Sequence, residues 1–390
     1  MSIKRKLIIL LTTLSLFILI IIGNNVIEEI NEKSELNRAE HLNNLSTVLS
    51  KLIHETQKER GASAGYLASK GMKFRDVLTN QKISTNKALQ VYKDYINNKE
   101  NLQNDNSLLN EIDFLNNALN ELDSIRNKVL SQNISVNGCV KFYTDMNRHI
   151  LNITSLNAKL STIPTLIKSL DAYSNFLKSK ERAGIERAVM SSTFASNKFA
   201  NGIFAKWNRL IAEQNSFMES FLSIASEDMK MFYTNEMNSP TVSMVQNMRN
   251  IAMKKSTEGN FGVDPNFWFS TITKKINLLK KVDDYIYKTN QRKIEELISD
   301  NIMMLVVNLL IGLFAFVIII IAFIINKNIL RDLGLLENGM TDFFNYLNKK
   351  TTNVNTITKN SNDEIGQMIE TINQNIFSTK KKLDEDNQIF

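Results

Sequence analysis

Two stretches of the chain are apolar at nearly every position. Residues 7–23 are interrupted only by Thr12, Thr13 and Ser15, and residues 302–325 carry Asn308 as their only strongly polar side chain. A helix needs roughly 20 apolar residues to cross a bilayer core, with about 17 as the lower limit, so each stretch predicts a transmembrane helix. Between them the pattern turns periodic. Leu42, Leu45, Leu49 and Leu52 form one stripe, and Leu108, Ile112, Leu115, Leu119, Leu122 and Val129 form another. A third runs through Leu166, Leu170, Tyr173 and Leu177, and a fourth through Ile272, Ile276, Leu279 and Ile286. Three- and four-residue spacings place such positions on one helix face, the pattern of a packed bundle. Breaks are predicted near Lys70-Gly71, at 97–106, at 131–138, around Pro164 and Pro240, and at 258–265, where Gly, Pro, Asn and Ser gather. No strand-like alternation of useful length occurs, and the fold class is all-α.

Composition agrees, with 3 Pro and 13 Gly in 390 residues. Charge then sets the direction of the spans. Lys4, Arg5 and Lys6 precede the first, and Lys327 and Arg331 follow the second. The inner flanks are acidic, with Glu28, Glu29 and Glu32 on one side and Glu295, Glu296 and Asp300 on the other. The positive-inside rule places both termini in the cytoplasm and 24–301 outside, in the periplasm of a Gram-negative inner membrane. A cleaved signal peptide is the rival for 7–23, but Ile22-Gly23-Asn24-Asn25 offers no small-x-small cleavage pattern. Cys139 is the single cysteine, so no intramolecular disulfide is possible. His41, His54 and His149 lie far apart and predict no metal site. The net charge of +7 is dispersed among acidic residues, which argues against a nucleic-acid partner. Nothing suggests a nucleophile–base constellation, a phosphate loop or a cofactor, and no enzyme is expected.

Two related motifs stand out inside the periodic region. The first is Gln57-Lys58-Glu59-Arg60-Gly61-Ala62-Ser63-Ala64-Gly65, and the second is Lys180-Glu181-Arg182-Ala183-Gly184-Ile185-Glu186-Arg187-Ala188. Gly61 and Gly65, like Gly184 and Ala188, are four apart and share a helix face. Glycine inside a helix costs about 0.5–1 kcal/mol relative to alanine. That cost, accepted twice, predicts close approach of a neighbouring backbone, with an arginine at the edge of the contact. Packing with a salt bridge to Glu59 or Glu186 is one reading, and a small-anion site is the other.

These motifs, with the closing Asp264-Pro265 and Phe267-Trp268-Phe269, resemble the nitrate- and nitrite-sensing (NIT) domain over roughly 45–287. The resemblance implies two stacked four-helix bundles and a nitrate or nitrite ligand held by Arg60 and Arg187. Arg182 falls on a variable position of the motif, and Ser63, one turn from Arg60, is an added candidate donor. The chemistry fits a planar trigonal anion, because a guanidinium presents forked planar donors. Two guanidiniums about 6 Å apart would repel by roughly 3 kcal/mol at an effective dielectric of about 20. A monoanion between them replaces repulsion with two attractions, the difference between empty and filled states that a sensor needs.

Beyond the second span, residues 326–377 resemble a HAMP relay. Asp363-Glu364-Ile365-Gly366 is followed by Met368, Ile369, Ile372 and Ile376 at coiled-coil spacing, although the usual proline after the membrane is missing. Residues 378–390 read as the start of an absent output region, which suggests a fragment of a longer receptor. The expected organisation is therefore 1–6 cytoplasmic, 7–23 first span, 24–301 sensing domain, 302–325 second span, and 326–377 relay. It implies a homodimeric methyl-accepting chemotaxis transducer for nitrate or nitrite, passing its signal to cytoplasmic proteins through the absent domain. The alternatives are a sensor of another small anion feeding a histidine kinase or diguanylate cyclase, and a ligand-free structural bundle with both arginines in fixed salt bridges.

Overall fold

The computed structural model describes residues 1–98 and 105–388, and the connector predicted at 97–106 lies mostly outside them. Among the described residues the chain is all-helical, with ten helices. These are α1 (Ile3–Ala68), α2 (Arg75–Asn97), α3 (Asn106–Leu130), α4 (Val136–Leu160) and α5 (Pro164–Ser196). There follow α6 (Ile203–Ile224), α7 (Glu227–Met237), α8 (Pro240–Lys254), α9 (Pro265–Leu347) and α10 (Glu364–Gln388). The helix starts follow local chemistry. Each of the three prolines is the first residue of a helix, where its missing N–H would have had no intrahelical partner. Asp105, Ser135 and Asp264 cap α3, α4 and α9, accepting from Leu108 N at 3.0 Å, Gly138 N at 3.1 Å and Phe267 N at 2.8 Å. The turn between α5 and α6 carries Asn197 and Gly202 at φ 55° and 75°, a left-handed pair that the stripe analysis does not anticipate.

The chain forms two compact units, Asn31–Asn301 and the combination of Met1–Ile30 with Ile302–Phe390. In the larger unit all four predicted stripes are buried. Three further core faces lie outside those stripes: Cys139, Tyr143, Met146 and Ile150 on α4, Trp207 and Phe221 on α6, and Val245 and Met248 on α8. Their spacing is helical, but polar residues interleave with them and blur the stripe.

The other unit contains two helical stretches long and apolar enough to cross a membrane. Their side chains face outward all round, with Leu10, Phe17 and Phe314 each more than 60% exposed. Such exposure is costly in water and natural in lipid. Gly312 brings the two stretches close, since a Cβ there would stand 3.1 Å from Ile22. Asn308 reaches Glu29 at 3.5 Å. After the second stretch, Leu336, Ile357 and Ile369 form a small core. The extended segment that supplies Ile357 is clamped by Asn373, which accepts from Ile357 N at 2.7 Å and donates to its carbonyl at 2.8 Å. Asp363 caps α10, accepting from Ile365 and Gly366 N–H groups at 3.1 and 3.0 Å.

Candidate functional site

Both motifs lie mid-helix, on α1 and α5, and their polar residues are almost completely buried. Glu59, Arg60, Lys180, Glu186 and Arg187 have no exposed surface. Burying a charge is expensive unless it is paired, so the partners of each decide what it does. The motif glutamates do not neutralise their adjacent arginines. Glu59 receives a bidentate pair of bonds from Arg126 of α3 at 2.7 and 2.9 Å, plus the Tyr143 hydroxyl at 2.9 Å. Glu186 receives the same from Arg249 of α8 at 2.7 and 2.5 Å, with Trp207 Nε1 at 3.1 Å and Gln214 at 2.9 Å.

Arg60 and Arg187 are thereby left to face the seam between α1 and α5. Arg60 donates to Glu181 Oε1 at 2.5 Å and Oε2 at 3.3 Å, and to the Thr144 hydroxyl at 3.0 Å. Arg187 donates to the carbonyl of Gln57 at 2.6 Å and to the Thr273 hydroxyl at 3.1 Å, and its guanidinium lies 5.3 Å from the Phe269 ring centre. No carboxylate pairs with Arg187 among the described residues. The Nε–H groups of both arginines lack any hydrogen-bond partner, as does Gln57 Oε1 in the same seam. Burial and Arg60 lower the Arg187 pKa to about 9, and Glu181 and Glu55 only partly oppose this. At neutral pH it is a buried, charged guanidinium without a counter-ion.

The glycines serve the opposite helix's arginine. A Cβ on Gly184 would stand 2.9 Å from Arg60 Nη2, and a Cβ on Gly61 would stand 3.0 Å from both Arg187 Nε and Phe269. The expected close approach of backbone is thus replaced by reciprocal insertion of side chains. The closing motif belongs to the same construction. Trp268 Nε1 donates to the carbonyl of Arg187 at 3.2 Å, and Phe269 covers its guanidinium and packs edge-on against Phe74 at 5.1 Å.

Ser63 is buried, on the side of Cys139, and makes no hydrogen bond to either arginine. The hydroxyls that meet the arginines are those of Thr144 and Thr273, whose single-threonine signals gave no means of finding them. Arg182 points away to Glu213 at 2.8 Å. Beside the seam, Asp283 of α9 accepts from Lys180 at 2.5 Å, Ser50 at 2.5 Å and Tyr173 at 2.6 Å. His54 is buried, its Nδ1 unpartnered. Burial, then Lys180, Lys58, Lys280 and Arg187, push its pKa well below the usual imidazole value.

Fold and seam together define an all-helical domain organised around two buried arginines of unlike pairing. The family model for nitrate and nitrite sensing matches residues 51–291, and the chain belongs to that family. A curated relative, the nitrate regulatory protein of Klebsiella oxytoca, is 22% identical over 263 residues, covering 65% of this chain and 64% of that protein. The solved structure of the NasR transcription antiterminator has the same fold, with a TM-score of 0.64 at 18% identity, covering 92% of this chain and 96% of that one.

These relatives correct three expectations. One is a nitrate regulatory protein and the other a transcription antiterminator, neither a chemotaxis transducer, so the methyl-accepting chemotaxis assignment is overturned. The HAMP relay expected at 326–377 has no support from them either. It rested on an Asp-Glu-Ile-Gly cap and coiled-coil spacing, and any capped pair of amphipathic helices has both. The exclusion of nucleic acid is overturned as well, since a transcription antiterminator shares the fold. Dispersed surface charge in one part of a chain does not speak for the system in which a sensing domain works.

Proposed function

We propose that the chain is a two-span membrane sensor of nitrate or nitrite, with residues 24–301 outside the cytoplasm and the anion bound between Arg60 and Arg187. The observation that carries this reading is Arg187, a guanidinium with no exposure and no carboxylate partner among the described residues. A bundle serving only as scaffold would have given it a glutamate, as it gives Arg126 and Arg249. A planar monoanion supplies the missing charge and accepts from the unpartnered Nε–H groups. The family to which the chain belongs, and the relative described as a nitrate regulatory protein, support the choice of anion. The charge asymmetry around the two apolar stretches supports the topology.

The matched environments of Glu59 and Glu186 favour two bundles of like construction meeting at the α1–α5 seam. Phe269 and Thr273, which meet Arg187, lie on α9, the helix whose later residues form the second apolar stretch. An anion that reorders the arginines acts directly on α9, and a coupling of about 1–3 kcal/mol is enough to bias a receptor. The test is calorimetric titration of the full chain in detergent with sodium nitrate, sodium nitrite and, as control, sodium chloride. Saturable heat with nitrate or nitrite is expected, and it disappears in Arg187→Met. If Arg60→Met and Arg187→Met both bind as tightly as the parent, the site is misassigned.

A further inference from the structure

We infer that Glu181 is a resident counter-anion of the sensor, holding Arg60 until the ligand takes its place, and that the cleft beside it is the ligand's access route. This rests on reading the Arg60–Arg187 pair as the anion site. Glu181 belongs to the second motif but has no counterpart in the first, and the pairing of motif glutamates with Arg126 and Arg249 does not involve it. It is 2% exposed and contacts Arg60 through both carboxylate oxygens, while Gln57 Nε2 donates to it at 2.6 Å. Two arginines and one carboxylate leave the seam positive, so an anion is drawn to it while Glu181 is still in place.

The position of Glu181 is what makes it a gate. A cleft of about 600 Å³ lies between α4, α5 and α6, and Glu181 and Thr144 are part of its lining. These are the two groups that hold Arg60. From the cleft, Arg60 is therefore reached past the carboxylate. The cleft wall is basic, but Arg182 and Arg209 share Glu213, at 2.8 and 3.7 Å. Lys206 has no carboxylate partner among the described residues and lines the same cleft as Glu181; burial, then Arg209 and Arg60, lower its pKa. An anion drawn into the cleft meets Lys206 first and Glu181 next. A monoanion that displaces the carboxylate exchanges one negative charge for another on Arg60 and frees Glu181 to turn toward the basic wall. Net affinity is then the difference between two anions competing for one guanidinium fork.

Glu181→Gln removes the competing charge while keeping shape and an acceptor for Arg60. In calorimetry on the full chain in detergent with sodium nitrate, we expect it to bind about tenfold or more tightly than the parent, the scale of one charge-assisted hydrogen bond. In stopped flow, with intrinsic tryptophan fluorescence as readout, its association rate rises as well. Lys206→Glu, a partly exposed position that leaves the core untouched, slows association, and added sodium sulfate narrows its difference from the parent. Parent-like or weaker binding by Glu181→Gln, in a parent that does bind nitrate, overturns the gate and leaves the sensor reading standing. An unchanged association rate in Lys206→Glu overturns the access route. A parent chain that binds neither nitrate nor nitrite overturns the sensor reading itself, and the gate with it.

Discussion

Around Glu59 and around Glu186 the molecule builds nearly the same environment: a bidentate arginine from a neighbouring helix and a hydrogen bond from an aromatic side chain. Around the next residue of each motif it builds different ones. Arg60 has a carboxylate and a threonine; Arg187 has a backbone carbonyl, a threonine and the face of a phenylalanine. The likeness shows that this bundle readily neutralises a buried charge by borrowing a partner across the core. The difference therefore marks Arg187 as an exception. A buried ion without its pair stays only where surrounding structure compels it, and such sites are where function is found.

Stability is the sharpest way to break this comparison. Arg60→Met leaves Glu181 as an uncompensated buried carboxylate, which costs about 3–5 kcal/mol. Arg187→Met removes a charge that already lacked a counter-ion, and its cost should stay within about 1 kcal/mol, or become a gain. Urea denaturation of both variants without nitrate decides it, and equal losses would erase the distinction between the two arginines. Added nitrate should raise the parent's midpoint and leave that of Arg187→Met where it was.

The second effect is one of pH. Because Arg187 is held at about 9 by burial and by Arg60, against Glu181 and Glu55, anion binding should be constant from about pH 7 to 8. Above the folded-state pKa the charge is lost, and the nitrate Kd should rise up to about tenfold per pH unit. Calorimetry across that range, with circular dichroism to monitor the fold, gives the profile. A Kd flat to pH 10.5 would mean that Arg187 is better compensated than its contacts indicate.

The helical architecture and the two motif arginines were legible because each rests on a local pattern: leucine spacing, proline position, and the pairing of glutamate, arginine and glycine. What stayed hidden was pairing across the core. Nothing near Glu59 in the chain points to Arg126, 67 residues away, or near Glu186 to Arg249, 63 residues away. The adjacent arginine was the natural partner to expect, yet on a helix neighbours point about 100° apart, so Glu59 and Arg60 reach different walls of the bundle. One-turn spacing from Arg60 suggests Ser63 for the site, but the side chain is buried on the side of Cys139. The glycines were recognised as space, but what fills space is decided by the opposing helix.

That filling can be tested at moderate cost. Alanine at Gly61 puts a methyl group 3.0 Å from Arg187 Nε and from the Phe269 ring, two groups fixed by their own contacts. Overpacking of this kind costs about 1–3 kcal/mol, offset by about 0.5–1 kcal/mol of helix propensity. Alanine at Gly184 meets the end of Arg60 at 2.9 Å and the Gln57 side chain at 3.3 Å. Arg60 is held by Glu181, so the Gly184→Ala variant should disturb that pair more than it disturbs Arg187. Gly61→Ala is expected to weaken nitrate binding more than Gly184→Ala does, at similar thermal midpoints. The reverse order would assign the principal anion contact to Arg60.

The smallest effect tests how far the positive field of Arg187 and its neighbours extends. His54 faces Lys180, Lys58, Lys280 and Arg187, and with burial they hold its imidazole neutral. Below about pH 6.5 the unfolded chain takes up a proton that the folded chain refuses, so stability falls as pH drops, by at most about 1.4 kcal/mol per pH unit. The loss ends where the folded-state imidazole itself titrates. His54→Gln should flatten that limb of the stability profile between pH 6.5 and 5 and leave the profile above pH 7.5 unchanged. Asp283, whose folded pKa is lowered by Lys180 and Lys280 against its burial, contributes its own loss only at more acidic pH, below its unfolded value of about 4. If nitrate occupies the seam, its negative charge offsets Arg187 in the field at His54, and the same limb should begin at lower stability cost in saturating nitrate than in chloride. A limb identical in the two salts would place the bound anion beyond electrostatic reach of His54, and so away from Arg187.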